Sequence, residues 1–198
     1  VCIEMLVGVL ADAQPEGQAA QVYVPAQSDG APILVALHGH GESGRGLDVG
    51  ANAWRHDYGL DKIYERLLAP PMTTADVGGF LDEDRILRIN RSLEKDPFRG
   101  LAVACPYTPD VGAPDSDAAR DYATFVTRDL LPRTAETMGT ELDRTRTGID
   151  GVSMGGRMAL IVGLAHPETF GAIGGLMPAI APFEAHLLAD LASRAHAK

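Results

Sequence analysis

Long apolar runs, paired cysteines and positive charge are all scarce in this chain, and each scarcity removes a class of function. No stretch approaches the roughly 20 apolar residues needed to cross a bilayer, so no membrane span is expected. Two cysteines among 198 residues cannot build the disulfide framework of a small secreted scaffold, and neither sits in a CxxC pair or a Cys/His cluster with zinc spacing. Cys105 ends the apolar run 101–105 and Cys2 opens another, so both read as packed thiols. The 17 Lys and Arg against 27 Asp and Glu leave a formal charge of -10, which repels phosphate backbones and anionic lipid and argues against a nucleic-acid partner. Neither a dinucleotide-binding fingerprint nor a Walker A loop occurs, so no cofactor is implied. His38 and His40 alone do not make a metal site, and none is expected.

What is present is an ordinary core-forming composition, 45% hydrophobic, in a length that favours one domain. Residues 1–10 and 21–25 read as two strands of an opening hairpin or meander. The unalternating run Ile33-Leu34-Val35-Ala36-Leu37 reads as a strand covered on both faces of a mostly parallel sheet. Leu60, Ile63, Tyr64, Leu67 and Leu68 recur at helical spacing until Pro70-Pro71, and 81–95 predicts a charged helix with Ile86, Leu87 and Leu93 inward. Between these two helices, 72–80 reads as a loop. A strand at 101–105 is followed by a helix from about 118, with Asp115 or Ser116 as its cap, Pro132 bending or restarting it and Gly139 closing it. A short strand at 147–151, a helix at 154–165, a strand at 170–177 and a last helix at 183–196 complete the order. Strands alternating with helices predict an α/β fold with a mostly parallel central sheet and helices on both faces. The stretch 45–100 exceeds a minimal crossover and is expected as a helical insertion over the active-site end.

The run Gly151-Val152-Ser153-Met154-Gly155 has the GxSxG spacing of a nucleophile elbow. In that turn a serine is held in a strained conformation between a strand and a helix, and the residues two before and two after must be small because the turn brings them together. The turn lifts the hydroxyl above the sheet, and the following helix N-terminus offers N–H groups and a positive dipole end to a developing oxyanion. The expected strand before it and helix after it make this more than a chance string.

With Gly156, the helix ending His166-Pro167-Glu168-Thr169-Phe170 and the upstream Leu37-His38-Gly39-His40-Gly41, the elbow resembles the α/β-hydrolase esterases grouped with esterase D and feruloyl esterases. The resemblance covers about residues 20–180 and is weakest over 45–100. It implies Ser153 as catalytic nucleophile and an oxyanion hole of two main-chain N–H groups, one from Met154 and one, by position, from His40. Trp54, Tyr107 and Met177 are candidates for pocket walls, with ordinary packing the competing role. Family habit and composition tilt the expected setting toward secreted or periplasmic.

A serine needs a base to take its proton, normally a histidine oriented by a carboxylate. In this fold the order is serine, acid, histidine, the last two on loops after the seventh and eighth strands. The count of strands reaches six before the final helix, so both positions are expected beyond Lys198. This reads the chain as a single domain over 1–198, incomplete at its C-terminus and lacking the last two strands, completed by about 60 further residues or by a second chain. None of the six histidines offers an evident substitute. His38 and His40 belong to the oxyanion loop, His56 to a loop that could rim the pocket, His166 to a helix end, and His186 and His196 to the surface of the last helix. Glu168, Glu184 and Asp190 read as solvated or capping, Asp150 as too close to the elbow, and Asp110 as a turn residue near the site end. The function expected is carboxylic ester hydrolysis through a Ser153 acyl-enzyme on a small-molecule or polymer ester. Acyl transfer and peptidase chemistry on the same scaffold, or a non-catalytic binding module, are the alternatives.

Overall fold

The computed structural model describes residues 4–10, 18–25 and 30–196. In chain order its elements are β1 (Glu4–Leu10), β2 (Gln18–Val24), β3 (Ile33–Leu37), α1 (His40–Ser43), α2 (Leu47–Ala51), α3 (Ala53–His56), α4 (Leu60–Leu68) and α5 (Glu83–Lys95). There follow β4 (Ala102–Pro106), α6 (Asp117–Thr124), α7 (Leu131–Met138), β5 (Thr147–Gly151), α8 (Met154–Ala165), β6 (Ala172–Ile173) and α9 (Ala185–His196). The six strands form one sheet in the order β1-β2-β4-β3-β5-β6. β1 and β2 are an antiparallel pair, β2 runs antiparallel to β4, and β3, β4, β5 and β6 are parallel. Cys2 lies outside the described residues; Cys105 is a fully buried free thiol in β4, its pKa pushed up by that burial.

Alternation along the strands sorts the core onto two faces. Val22 and Val24 of β2 and Ile33, Val35 and Leu37 of β3 pack with Tyr122, Phe125, Leu131, Met158 and Val162 from the α6–α8 side. Tyr23, Ala36, Val103 and Cys105 face the other way, against Tyr64 of α4 and the half-buried Trp54. The helices thus cover both faces of a largely parallel sheet, as the sequence predicts.

Two local readings are corrected and two are made more specific. The strand expected over 170–177 shrinks to Ala172–Ile173, with an isolated bridge between Val152 and Leu176. Gly171, Gly174 and Gly175 interrupt it, and Met177 turns out of extended geometry with φ 44. In α5, Leu87 is half exposed while Ile86 and Leu93 are buried and Ile89 packs beside them, so the inward stripe follows i, i+3, i+7 spacing. The loop at 72–80 contains a 3₁₀ turn, Thr74–Val77, capped by Thr73 and Asp76. Ser116 is the residue that caps α6, accepting from the Ala119 N–H, and the chain then widens into a π-turn at Phe125–Leu130 before Pro132 enters the first turn of α7.

The stretch 45–100 divides in two. Residues through Tyr58 stay beside the C-terminal end of β3, whereas α4 leads away: the Tyr64 hydroxyl donates to the Leu101 carbonyl at 2.8 Å, at the foot of β4. α5 packs on α4 through Met72, Ile86 and Leu93, a small core of its own with Ile63 and Leu67.

Candidate active site at the β5–α8 turn

β5 ends and α8 begins within two residues, and the connection has an unusual backbone. Ser153 sits at φ 55, ψ -116, a conformation that costs a non-glycine residue of order 1–3 kcal/mol and persists only where surroundings over-determine it. Those surroundings are a ring of main-chain bonds: Val152 N–H to Leu37 O at 3.1 Å, Ser153 N–H to Leu176 O at 2.9 Å, and the Arg157 and Ala179 N–H groups to Ser153 O at 3.0 and 2.9 Å. The flanking glycines leave no alternative side chain. A Cβ on Gly151 would fall 2.4 Å from the Gly155 carbonyl carbon, and one on Gly155 would fall 2.3 Å from Leu37 O.

The loop after β3 lies against this turn. The position a Gly39 Cβ would take is 3.8 Å from Ser153 Cβ. His40 and Met154 are the first residues of α1 and α8, so their N–H groups have no acceptor within their own helices. The two main-chain donors predicted from sequence therefore both belong to helix starts flanking Ser153.

The loop is tied into the sheet by His38. Its ring is fully buried; Nδ1 lies 2.9 Å from Gly39 O and Nε2 accepts from the Thr108 N–H at 2.8 Å, past the end of β4. That pair of partners assigns the proton to Nδ1, and burial lowers the ring's pKa below the ordinary imidazole value. Ser43 Oγ also reaches Gly39 O at 3.4 Å and donates to Thr108 O.

The other histidines are accounted for individually. His40 is exposed, with Nδ1 3.6 Å from Asp110. His56 is exposed at the end of α3. His166 caps α8 with Nδ1 3.3 Å from Glu168, and His186 and His196 are exposed on α9. None of these partners is the Ser153 hydroxyl. Asp110 accepts from the Gly112 N–H at 3.1 Å, the turn role expected of it, Asp190 pairs with Arg194 on the surface, and Asp150 accepts from the Gly151 N–H at 2.7 Å.

Of the three wall candidates, Tyr107 is half-buried with its ring 5.7 Å from that of His38 and its hydroxyl on Ser43 O at 3.1 Å. Trp54 packs edge-on to Tyr58 at 5.0 Å, one layer behind the loop. Met177 is 82% exposed beside Leu176, whose carbonyl holds Ser153.

Sequence reasoning missed one large feature. Glu184, read as solvated or capping, does cap the turn at Pro182 but is 4% exposed, and Arg157 8%. Arg157 Nε lies 2.9 and 3.0 Å from the two Glu184 oxygens, and its Nη2 bonds Glu184 and the Gly112 carbonyl. Glu184 also accepts from the Ala181 N–H at 2.9 Å, and the Arg157 hydrogen bonds hold its carboxyl below the usual carboxylate range. The pair straps the segment after β6 across the first turns of the elbow helix. Arginine one turn after the elbow, in a helix otherwise apolar on all sides, was the available signal.

A family model described as "Putative esterase" matches residues 103–192, from β4 into α9. No curated protein matches the chain. Among solved structures, a ferulic acid esterase superposes with TM-score 0.58 at 18% identity over 86% of this chain and 58% of that one. The enterobactin esterase of Shigella flexneri gives 0.54 at 14% identity over 93% and 39%, and a CE1 ferulic acid esterase from Anaeromyces mucronatus gives 0.51 at 14% over 89% and 59%. The fold is that of the α/β-hydrolases, and the proteins it resembles in both comparisons are esterases. The chain spans less than three-fifths of the length of these ferulic acid esterases.

Proposed function

We propose that this chain carries the nucleophile and oxyanion half of a serine esterase, in which Ser153 attacks a carboxylic ester and is transiently acylated. The observation that carries the reading is the Ser153 backbone at φ 55, ψ -116 between β5 and α8, with the β3 loop against it. The Met154 and His40 N–H groups bind the tetrahedral oxyanion where charge develops. The general base and its orienting carboxylate are not identified among the described residues, whose histidines make no bond to the Ser153 hydroxyl. His38 is excluded as the base, because both its ring nitrogens are committed within the fold.

Substrate choice belongs to the walls rather than to the fold. The similarity to ferulic acid esterases supports an ester of a small organic acid. Labelling of the native protein by a fluorophosphonate probe tests the reading. Covalent modification at Ser153, abolished in Ser153→Ala, is expected. Absence of labelling, or labelling that survives the substitution, rejects it. The intact mass of the native protein, with or without a co-purifying fragment, tests where the base resides.

A further inference from the structure

We infer that Tyr58 and Glu42 are positioning residues for the His40 main-chain donor, acting as a helix cap relayed through a tyrosine hydroxyl. The inference rests on the proposed role of that donor.

In an ordinary capping box the third helical residue, a Glu, reaches back to the N–H of the cap residue, while the cap side chain bonds forward. In α1 the cap is Gly39, which has no side chain, and Glu42 is the third residue. Glu42 reaches back through an intermediary. The Tyr58 hydroxyl donates to Glu42 Oε2 at 2.8 Å and accepts from the Gly39 N–H at 3.4 Å. Burial, together with the Glu42 hydrogen bond, pushes the Tyr58 pKa up to about 12, so the hydroxyl keeps its proton through the neutral range.

The other end of the same stretch is held independently. His38 and Ser43 grip the Gly39 carbonyl. A peptide unit is planar and trans, so fixing that carbonyl fixes the His40 N–H in the opposite direction. Two anchors, one on each side of Gly39, thus set the aim of the donor. The lateral clearance is small. A Cβ at Gly39 would meet Glu42 Oε2 at 3.0 Å and Tyr58 Oη at 3.4 Å, with Ser153 Cβ at 3.8 Å. Shifts of Gly39 toward or away from Tyr58 therefore alter its spacing from Ser153.

Tyr58 is itself braced. Its ring packs edge-on against Trp54, its N–H bonds Ala53 O at 3.2 Å, and the neighbouring Asp57 pairs with Arg45, whose own N–H bonds Glu42 O at 3.1 Å. The 42–45 and 53–58 segments form one strap whose inward-facing hydroxyl is the link to Gly39.

The test uses the native protein and p-nitrophenyl acetate. Tyr58→Phe is expected to lower kcat about tenfold, less than deleting an oxyanion donor outright, with KM changed less than about twofold. Glu42→Ala should do the same, Glu42→Gln should retain more activity because it keeps an acceptor, and the Tyr58→Phe/Glu42→Ala double variant should be no worse than either single. Amide exchange at Gly39 and His40 should quicken in Tyr58→Phe while exchange in β3 and β5 does not. Unaltered kcat with unaltered exchange, or a change confined to KM, overturns the clamp. Full hydrolysis by Ser153→Ala would reject the esterase reading instead, and the exchange measurement would still decide whether Tyr58 holds the loop.

Discussion

The two sides of Ser153 are built differently. Toward β3, the elbow rests on buried main chain: Leu37 is inaccessible, Gly155 backs onto two carbonyls, and His38 joins the loop to the end of β4. Toward β6, the strand has two residues and the chain beyond it carries Leu176, Met177 and Phe183 at 54, 82 and 79% exposure. The first side fixes the geometry of the Ser153 turn and of the loop after β3. The second is held to α8 chiefly by a few main-chain bonds and one buried ion pair. The contrast teaches that the turn at Ser153 takes its rigidity from one side, because buried main chain backs it toward β3 while largely exposed side chains follow it toward β6.

The ion pair is where that comparison breaks most readily. Glu184→Ala leaves the Arg157 guanidinium uncompensated in a site 8% exposed, and should cost about 3–5 kcal/mol, measured by urea unfolding. A cost below about 1 kcal/mol would mean the strap contributes little. The pair also sets an acid limit. Folding depresses the Glu184 pKa below its ordinary 4.5, so its stabilisation is complete above that value and is lost as pH falls through the folded value. Stability-versus-pH curves of wild type and Glu184→Ala should therefore approach one another as pH falls through the depressed Glu184 value.

Glycines sharpen the contrast. An alanine at 155 meets main-chain oxygen that has nowhere to go, and should cost about 2–3 kcal/mol. At Gly174, on the β6 side, a Cβ meets the Asp150 carboxyl, nearest atom 2.9 Å, a side chain that can turn aside by giving up its bond from the Gly151 N–H. Gly174→Ala should cost about 1 kcal/mol by the same unfolding measurement, less than Gly155→Ala. Equal costs would erase the difference between the two sides.

What the sequence made legible follows range along the chain. The β3 run, the GxSxG turn and the following helix are local patterns, and each lies where it is expected. Legibility failed where partners are distant. Arg157 and Glu184 are separated by 27 residues, Tyr58 and Glu42 by 16, and His38 and Thr108 by 70. Glu184 follows Pro182 and Phe183 near a helix start, the pattern of a solvated cap; only the fold reveals that an arginine faces it. The overlong reading of β6 has another cause. Its apolar residues satisfy a strand pattern, but three glycines and the turn at Met177 remove the continuous edge a longer strand needs.

The smallest predicted effects come from backbone strain. Among the described residues, Ser153 and Met177 are the two non-glycine positions with positive φ, and they stand on the two sides compared above. At Ser153, ψ -116 takes the residue outside the left-handed helical well, into a region that favours glycine. Ser153→Gly should therefore be more stable than Ser153→Ala by about 1 kcal/mol in thermal or urea unfolding, although both lack the hydroxyl. At Met177 the side chain is exposed and φ is 44. There the strain relieved by glycine is offset by the greater freedom glycine gains on unfolding, and Met177→Gly should change stability by less than about 0.5 kcal/mol. A Ser153→Gly variant no more stable than Ser153→Ala would show that the ring of main-chain bonds, and not the side chain's own preference, accounts for the whole energy of the turn.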